Sequence, residues 1–210
     1  MAHYRAHAQA YFDTTHGVDM APLYARFTPL LPPGARVLDA GCGSGRDALA
    51  FQRMGFAVEA FDASPELAAL AQAHTGLPVQ VMSFQQMADA MGNTWHARFD
   101  GIWACASLLH VPEAEQARVW HSLLNALKPG GVLYASYKLG EGESTDALGR
   151  HFTHATAERV AQWLPAAPLS QVLAVWHSAD QRPGVEQAWL NMLTQRMPAH
   201  DHTPGSTSGP

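Results

Sequence analysis

Ala35-Arg36-Val37-Leu38-Asp39-Ala40-Gly41-Cys42-Gly43-Ser44-Gly45-Arg46-Asp47 reads as a buried strand that breaks into a glycine-rich turn and restarts as a helix at Asp47-Ala48-Leu49-Ala50-Phe51. A glycine at every second position lets the backbone turn sharply and brings its N–H groups close to a ligand. The spacing separates this turn from two better-known loops. A dinucleotide fingerprint is G-x-G-x-x-G, and a Walker loop is G-x-x-x-x-G-K-[ST]. Here the pattern is G-x-G-x-G, no lysine follows, and Asp39 closes the strand. A carboxylate at that point repels a pyrophosphate and welcomes an ammonium group.

Outward from the turn, short apolar runs alternate with longer helical ones, the pattern of a parallel α/β sheet. Strands are expected over Arg36–Ala40, Phe56–Phe61, Pro78–Met82, Phe99–Ala104 and Gly131–Lys138, with helices over Arg46–Met54, Pro65–His74 and Pro112–Leu127. Ser64 before Pro65-Glu66 is a good N-cap with proline in the first turn. Lys128-Pro129-Gly130-Gly131 stops a helix and feeds the fifth strand. After Lys138 the reading is a Gly/Glu/Ser-rich loop over Leu139–Arg150, a helix over Thr156–Leu164, and closing strands over Ser170–Ser178 and Glu186–Leu193. At the other end, Ala21–Leu31 reads as a helix preceded by a second one around Tyr4–Phe12.

The second strand also ends in an acid, Asp62, which lies 23 residues beyond Asp39. In a doubly wound sheet the carboxyl ends of neighbouring strands line one crevice, so Asp62 falls beside the glycine turn, where it faces a ribose. A carboxylate accepts from both vicinal hydroxyls at once. The competing assignment is an Asx turn that leads into the next helix.

The 210 residues suit one domain over residues 1–197, with an N-terminal helical segment over 1–33 covering the crevice and a disordered tail over 198–210, where Pro, His, Gly, Ser and Thr dominate. Apolar residues make up 47% and charged residues 15%, with a formal charge of −5. The only lysines are Lys128 and Lys138, and no basic run exists to neutralise several phosphates, which argues against a nucleic-acid partner. No apolar run approaches the ~18 residues of a membrane span. Two cysteines, Cys42 and Cys105, make no secreted disulfide framework, so a cytoplasmic setting is expected. The twelve histidines include His3/His7 and His151/His154 at helical spacings, but neither pair forms a H-E-x-x-H signature, and no metal site is expected.

Residues 35–138 together resemble the class I S-adenosylmethionine (SAM)-dependent methyltransferases, with Gly45-Arg46-Asp47 and the short chain similar to small bacterial members such as the tellurite-resistance type. The resemblance implies a Rossmann-like, doubly wound, seven-stranded, mostly parallel sheet in three αβα layers, with an antiparallel last strand, here Glu186–Leu193. It also implies a SAM site built from Tyr11, Asp39, Ala40, Gly41, Cys42, Gly43, Gly45, Arg46, Asp62, Ala63, Ser64, Ser83, Phe84, Ala104, Cys105 and Ser107. Within that set Arg46 is the candidate for the SAM carboxylate. Ser83 departs from the aspartate that many members carry before the adenine contact, and the resemblance then points to Phe84 or its N–H as the neighbour of the base.

Methyl transfer from a sulfonium is an in-line displacement with a neutral leaving group. Alignment alone can supply ~7–11 kcal/mol and a general base about 10²–10⁴-fold, so a base is optional. His110 and Tyr137, at strand ends on the cofactor edge, are the candidates. Ala104-Cys105-Ala106-Ser107 replaces the Asn/Asp-Pro-Pro-aromatic motif of enzymes that methylate nucleic-acid bases. The expected acceptor is therefore an O, N or S atom of a small molecule, with the chain acting as a monomer or homodimer. Alternatives are a non-catalytic SAM-binding regulatory module, a methyltransferase acting on a macromolecule, and an NAD-dependent oxidoreductase.

Overall fold

Apolar strands need both faces covered, and the chain meets that need with helices on each side of one sheet. In the computed structural model, residues 2–90, 95–165, 169–182 and 184–198 are described. The elements run α1 (Ala2–Thr15), α2 (Ala21–Phe27), β1 (Arg36–Ala40), α3 (Arg46–Arg53), β2 (Ala57–Asp62), α4 (Pro65–Thr75), β3 (Val79–Val81) and α5 (Phe84–Ala90). They continue through β4 (Phe99–Ala104), α6 (Glu113–Ala126), β5 (Leu127–Lys138), β6 (Glu143–Thr145), β7 (His151–Thr153), α7 (Ala157–Trp163), β8 (Ser170–Ala179) and β9 (Ala188–Arg196).

The seven-stranded sheet has the order β3-β2-β1-β4-β5-β9-β8. Strands β1 to β5 pair in parallel, while β9 runs antiparallel to both β5 and β8. The expected sheet, with its antiparallel last strand, is therefore present. β9 extends to Arg196 rather than stopping at Leu193. The chain order turns back at β1 and β4, the switch point where α/β sheets open a crevice at their carboxyl ends.

Two cores sandwich the sheet. Against one face pack Ile102 and Leu133 with Trp120 and Leu123 of α6 and Val160 of α7. Against the other, Val37, Trp103 and Tyr134 meet Phe27 of α2 and Phe51 of α3. Gly101 is required there, because a Cβ on it would lie 2.8 Å from the Phe27 ring.

Three local expectations are corrected. The helix expected over Ala21–Leu31 is α-helical only to Phe27 and then tightens to a 3₁₀ turn at Thr28–Leu30, because Pro29 offers no N–H to continue the ladder. Leu139–Arg150 is not a plain loop: β6 folds back on β7 in a two-stranded hairpin. An unexpected helix, α5, follows β3, started by a reciprocal capping box in which Ser83 Oγ accepts the Gln86 N–H at 3.1 Å and Gln86 Oε1 accepts the Ser83 N–H at 2.8 Å. Residues 199–210, where a tail was expected, lie outside the described residues.

Candidate active site

The glycine turn after β1 is held from beneath by β2. The N–H groups of Gly41 and Cys42 both donate to the Phe61 carbonyl, at 3.0 and 2.9 Å, and that of Gly43 donates to Asp62 Oδ2 at 2.9 Å. The Gly45 N–H donates to the Cys42 carbonyl at 2.9 Å. The expectation that the turn brings its N–H groups to a ligand is corrected: those of Gly41, Cys42, Gly43 and Gly45 all donate within the protein. The glycines of the turn act through the absent side chain: at φ +73° a Cβ on Gly41 would sit 2.6 Å from Ser107 Cβ, and one on Gly43 would sit 3.2 Å from the Tyr11 ring. Gly45 lies away from the crevice, and its absent Cβ lets α3 approach Thr75 and Ala71 of α4.

Two adjoining hollows open above this turn, with Tyr11, Gly41, Gly43, Ala106, His110 and Arg150 common to both. One is walled by Asp62, Ala63, Met82, Ser83, Phe84 and Ser107. The other runs past Cys42, Arg46 and Cys105 towards Lys138, Asn191 and Trp189. Tyr11 closes the crevice from α1, which packs on α4 through the edge contact of Phe12 with His74. Ala106, at φ +51°, carries the chain sharply away from β4.

Asp62 answers both sequence assignments at once. Its Oδ1 accepts the Ser64 N–H at 2.8 Å as an Asx turn, while the carboxylate also lines the crevice. Burial pushes its carboxyl up, while the N–H groups of Ser64 and Gly43 pull against that. Ser64 itself is the N-cap of α4, accepting from the Leu67 N–H at 3.3 Å, and does not line the crevice.

Asp39 is buried beneath the turn and lines neither hollow, and among the described residues its Oδ2 has no hydrogen-bond partner. Burial first, and the nearby Asp47 carboxylate second, push it well above the usual carboxylate range. Asp47 behaves oppositely. Burial opposes its charge, but Arg46 binds it through two contacts of 2.7 and 2.8 Å, and Tyr24 Oη and Trp103 Nε1 donate to it at 2.5 and 2.8 Å. Those donors hold it below the usual range, so the ionised carboxylate of the pair is Asp47.

Several expected contacts fall elsewhere. Ala40 presents its carbonyl to Ser107 Oγ at 2.7 Å, and Ala104 is wholly buried; neither lines the crevice. Tyr137 is a correction: it is 1% exposed, donates to Gln116 Oε1 at 2.8 Å and accepts from Trp120 Nε1 at 3.0 Å. Side chains alternate along a strand, so Tyr134, Ser136 and Lys138 face the crevice and Tyr137 faces α6. His110 does line the crevice, with Nδ1 2.8 Å from the His151 carbonyl. Burial lowers its pKa to about 4. Burial likewise pushes the Cys105 thiol up to about 12 and the Cys42 thiol upward, so both are unreactive. Among the described residues no cluster of His, Cys, Asp or Glu could hold a metal ion.

A crevice beside the first glycine turn, an acid ending each of β1 and β2, and β9 inserted antiparallel beside β5 define the class I SAM-dependent methyltransferase fold. Residues 4–181 match the family model described as "Methyltransferase domain", and the chain belongs to that family. Among curated proteins it is similar to the ubiquinone biosynthesis O-methyltransferases of Xanthomonas campestris pv. campestris (strain B100), 37% identical over 105 residues, and of Xylella fastidiosa (strain 9a5c), 39% identical over 106 residues. The first match covers 50% of this chain and 43% of the relative, so the alignment spans less than half the length of that protein. Among solved structures it is similar to the Burkholderia thailandensis 1,6-didemethyltoxoflavin-N1-methyltransferase with bound 1,6-didemethyltoxoflavin and S-adenosylhomocysteine. That match has a TM-score of 0.72 at 23% identity and covers 94% of this chain and 85% of that one.

Proposed function

We propose that the chain transfers a methyl group from SAM to an O, N or S atom of a small molecule. One observation carries the reading: the N–H groups of Gly41, Cys42 and Gly43 are all spent inside the protein, and a buried acid lies under them. A phosphate finds none of these three N–H groups to receive it, whereas a phosphate-free nucleoside fits. Asp62 lines the hollow and suits a ribose diol, the bare Gly41 and Gly43 let Ser107 and Tyr11 close in on the crevice, and Asp39 acts from beneath the turn without lining either hollow.

When bound, SAM supplies an electrophilic methyl on a sulfonium that leaves as a neutral thioether. The chain's own residues orient it. Asp62 accepts from the ribose hydroxyls, and Phe84 with Ser83 and Met82 flanks the base. Arg46 spends Nε and Nη2 on Asp47 and keeps Nη1 for a ligand carboxylate. Tyr11 lies over the turn and keeps water from the reacting centre. His110 donates Nδ1–H to the His151 carbonyl, which leaves Nε2 as the basic nitrogen of a neutral ring at pH 7. It can take a hydrogen bond from an acceptor hydroxyl, while alignment supplies most of the acceleration. The names of the curated relatives favour small-molecule chemistry, and the net charge of −5 disfavours nucleic acid. A cytoplasmic setting suits the two free thiols.

The direct test is incubation with methyl-tritiated SAM and cell extract separated into small molecules, RNA and protein, with Asp62→Ala as control. Label confined to the small-molecule fraction, and lost in the variant, is the expected result. Label in RNA or protein overturns the substrate class, and SAM binding without any transfer supports a regulatory module instead.

A further inference from the structure

The deep half of the crevice rests on one face of three strands. Across β5 and β9, Ser136 pairs with Asn191 and Lys138 with Trp189, and Ser178 of β8 pairs with Trp189 in turn. The polar groups of this floor are mostly satisfied within it. Tyr134 Oη donates to Asn191 Oδ1 at 2.7 Å, and Asn191 Nδ2 donates to Ser178 Oγ at 3.0 Å. Arg182 binds Asp180 at 2.9 and 2.7 Å, and Arg150 binds Asp146.

Lys138 is the exception. Its Nζ lies 3.5 Å from the centroid of the Phe152 ring, and among the described residues no carboxylate comes within ion-pair distance. The other lysine, Lys128, is bound to Asp100 at 2.8 Å. Burial first, and the Arg150 guanidinium second, pull the Lys138 pKa below its ordinary value, against a pull upward from Asp146 and Asp180 beyond ion-pair distance. The lining carries Arg46, Lys138, Arg150 and Arg182 against only Asp47 and Asp180, in a chain whose formal charge is −5. A lining whose three arginines hold carboxylates, and whose one ammonium rests on the Phe152 ring with no carboxylate among the described residues, is a receptor for a single negative charge. Phe152 and Trp189 beside it supply flat apolar walls.

We infer that the methyl acceptor is a small aromatic carboxylate, its carboxylate anchored by Lys138 and its ring packed between Phe152 and Trp189. The carboxylate is the handle, and a separate nucleophilic atom of the same molecule faces the methyl. The inference rests on the methyltransferase reading above and names the substrate class of that site. A phosphate dianion fits less well, because Arg150 and Arg182 already hold carboxylates. A cationic acceptor would face the ammonium of Lys138, which no carboxylate among the described residues neutralises.

The test uses two probes of equal shape, 4-hydroxybenzoate and neutral 4-hydroxybenzamide, titrated calorimetrically into the S-adenosylhomocysteine-loaded protein. The lysines are labelled at Cε for NMR, where a chain with only Lys128 and Lys138 gives two resonances. The acid is expected to bind at least about tenfold more tightly than the amide, the ~1.4 kcal/mol of one charge-assisted contact, and to move the Lys138 resonance alone. Lys138→Met should cut that preference below about threefold and Lys138→Arg should restore it, with S-adenosylhomocysteine affinity changed by less than about threefold in both. Equal binding of acid and amide, binding of neither, or a preference that survives Lys138→Met overturns the inference. The wild-type NMR titration decides it even should a variant fail to fold. Absence of S-adenosylhomocysteine binding sinks the methyltransferase reading instead, and acid preference with a Lys138 shift in the unloaded protein would still sustain the anion site.

Discussion

His110 bonds through its Nδ1 to the carbonyl of His151, and burial holds its pKa at about 4, below the unperturbed value near 6.5. The unfolded chain then binds the proton throughout that interval and the folded chain does not. His110 thus contributes stability that is complete above pH ~6.5 and is lost as pH falls towards ~4, up to about 3 kcal/mol. Asp39 tilts the other way, since its raised pKa favours the protonated folded form. The contribution of His110 is therefore isolated by difference: His110→Gln should cost more stability at pH 7.5 than at pH 5 in urea titrations, and equal costs would contradict the assignment. If His110 also takes the acceptor's proton, the acid limb of kcat/KM lies near pH 4 rather than 6.5. At Asp62, Ala should weaken S-adenosylhomocysteine binding by about tenfold to a hundredfold. It should also lower unliganded stability by roughly 1–3 kcal/mol, because the N–H groups of Gly43 and Ser64 lose their acceptor. Calorimetry and melting read the two losses separately, and intact affinity in a destabilised variant would leave Asp62 only its turn.

At the scale of elements, legibility followed how local each signal is. β1, the glycine turn and the Ser64 cap are written in consecutive residues, and each appears where the sequence puts it, whereas Pro129-Gly130 falls inside β5, which starts at Leu127 rather than at Gly131. α5 also has a local signal, the S-x-x-Q box of Ser83-Phe84-Gln85-Gln86, but the same serine stands where the family resemblance puts a cofactor contact, so two readings compete for one residue. Its hydroxyl is spent on the helix. Ser83→Ala should therefore lower stability by about 1 kcal/mol, a melting shift of ~2–4 °C, with S-adenosylhomocysteine affinity within about threefold. A tenfold loss of affinity in calorimetry would instead return the hydroxyl to the base. Tyr137 was misassigned by one residue of strand parity: Ser136 and Lys138, either side of it, face the crevice. The acceptor wall was the least legible part. Lys138, Phe152, Arg182 and Asn191 come from β5, the hairpin, the turn after β8, and β9, and only the insertion of β9 between β5 and β8 brings them together.

For the molecule as a whole, the crevice couples elements that otherwise pack on opposite sides of the sheet. Tyr11 comes from α1, Phe84 from α5, His110 from the turn before α6, and Arg150 from the hairpin. A ligand that touches all of them binds only the folded chain, so its affinity is read as global stability. At a hundredfold excess over its dissociation constant such a ligand adds ~2.7 kcal/mol. For a chain of this length that corresponds to a rise in melting temperature of roughly 5–10 °C. S-adenosylhomocysteine should produce that rise, and Asp62→Ala should forfeit most of it at the same concentration. NAD should produce none, because the N–H groups that a pyrophosphate needs are already spent on Phe61 and Asp62. A rise with NAD and none with S-adenosylhomocysteine would make this crevice a dinucleotide site despite its glycine spacing, and the role given to Asp39 beneath the turn would fall with it.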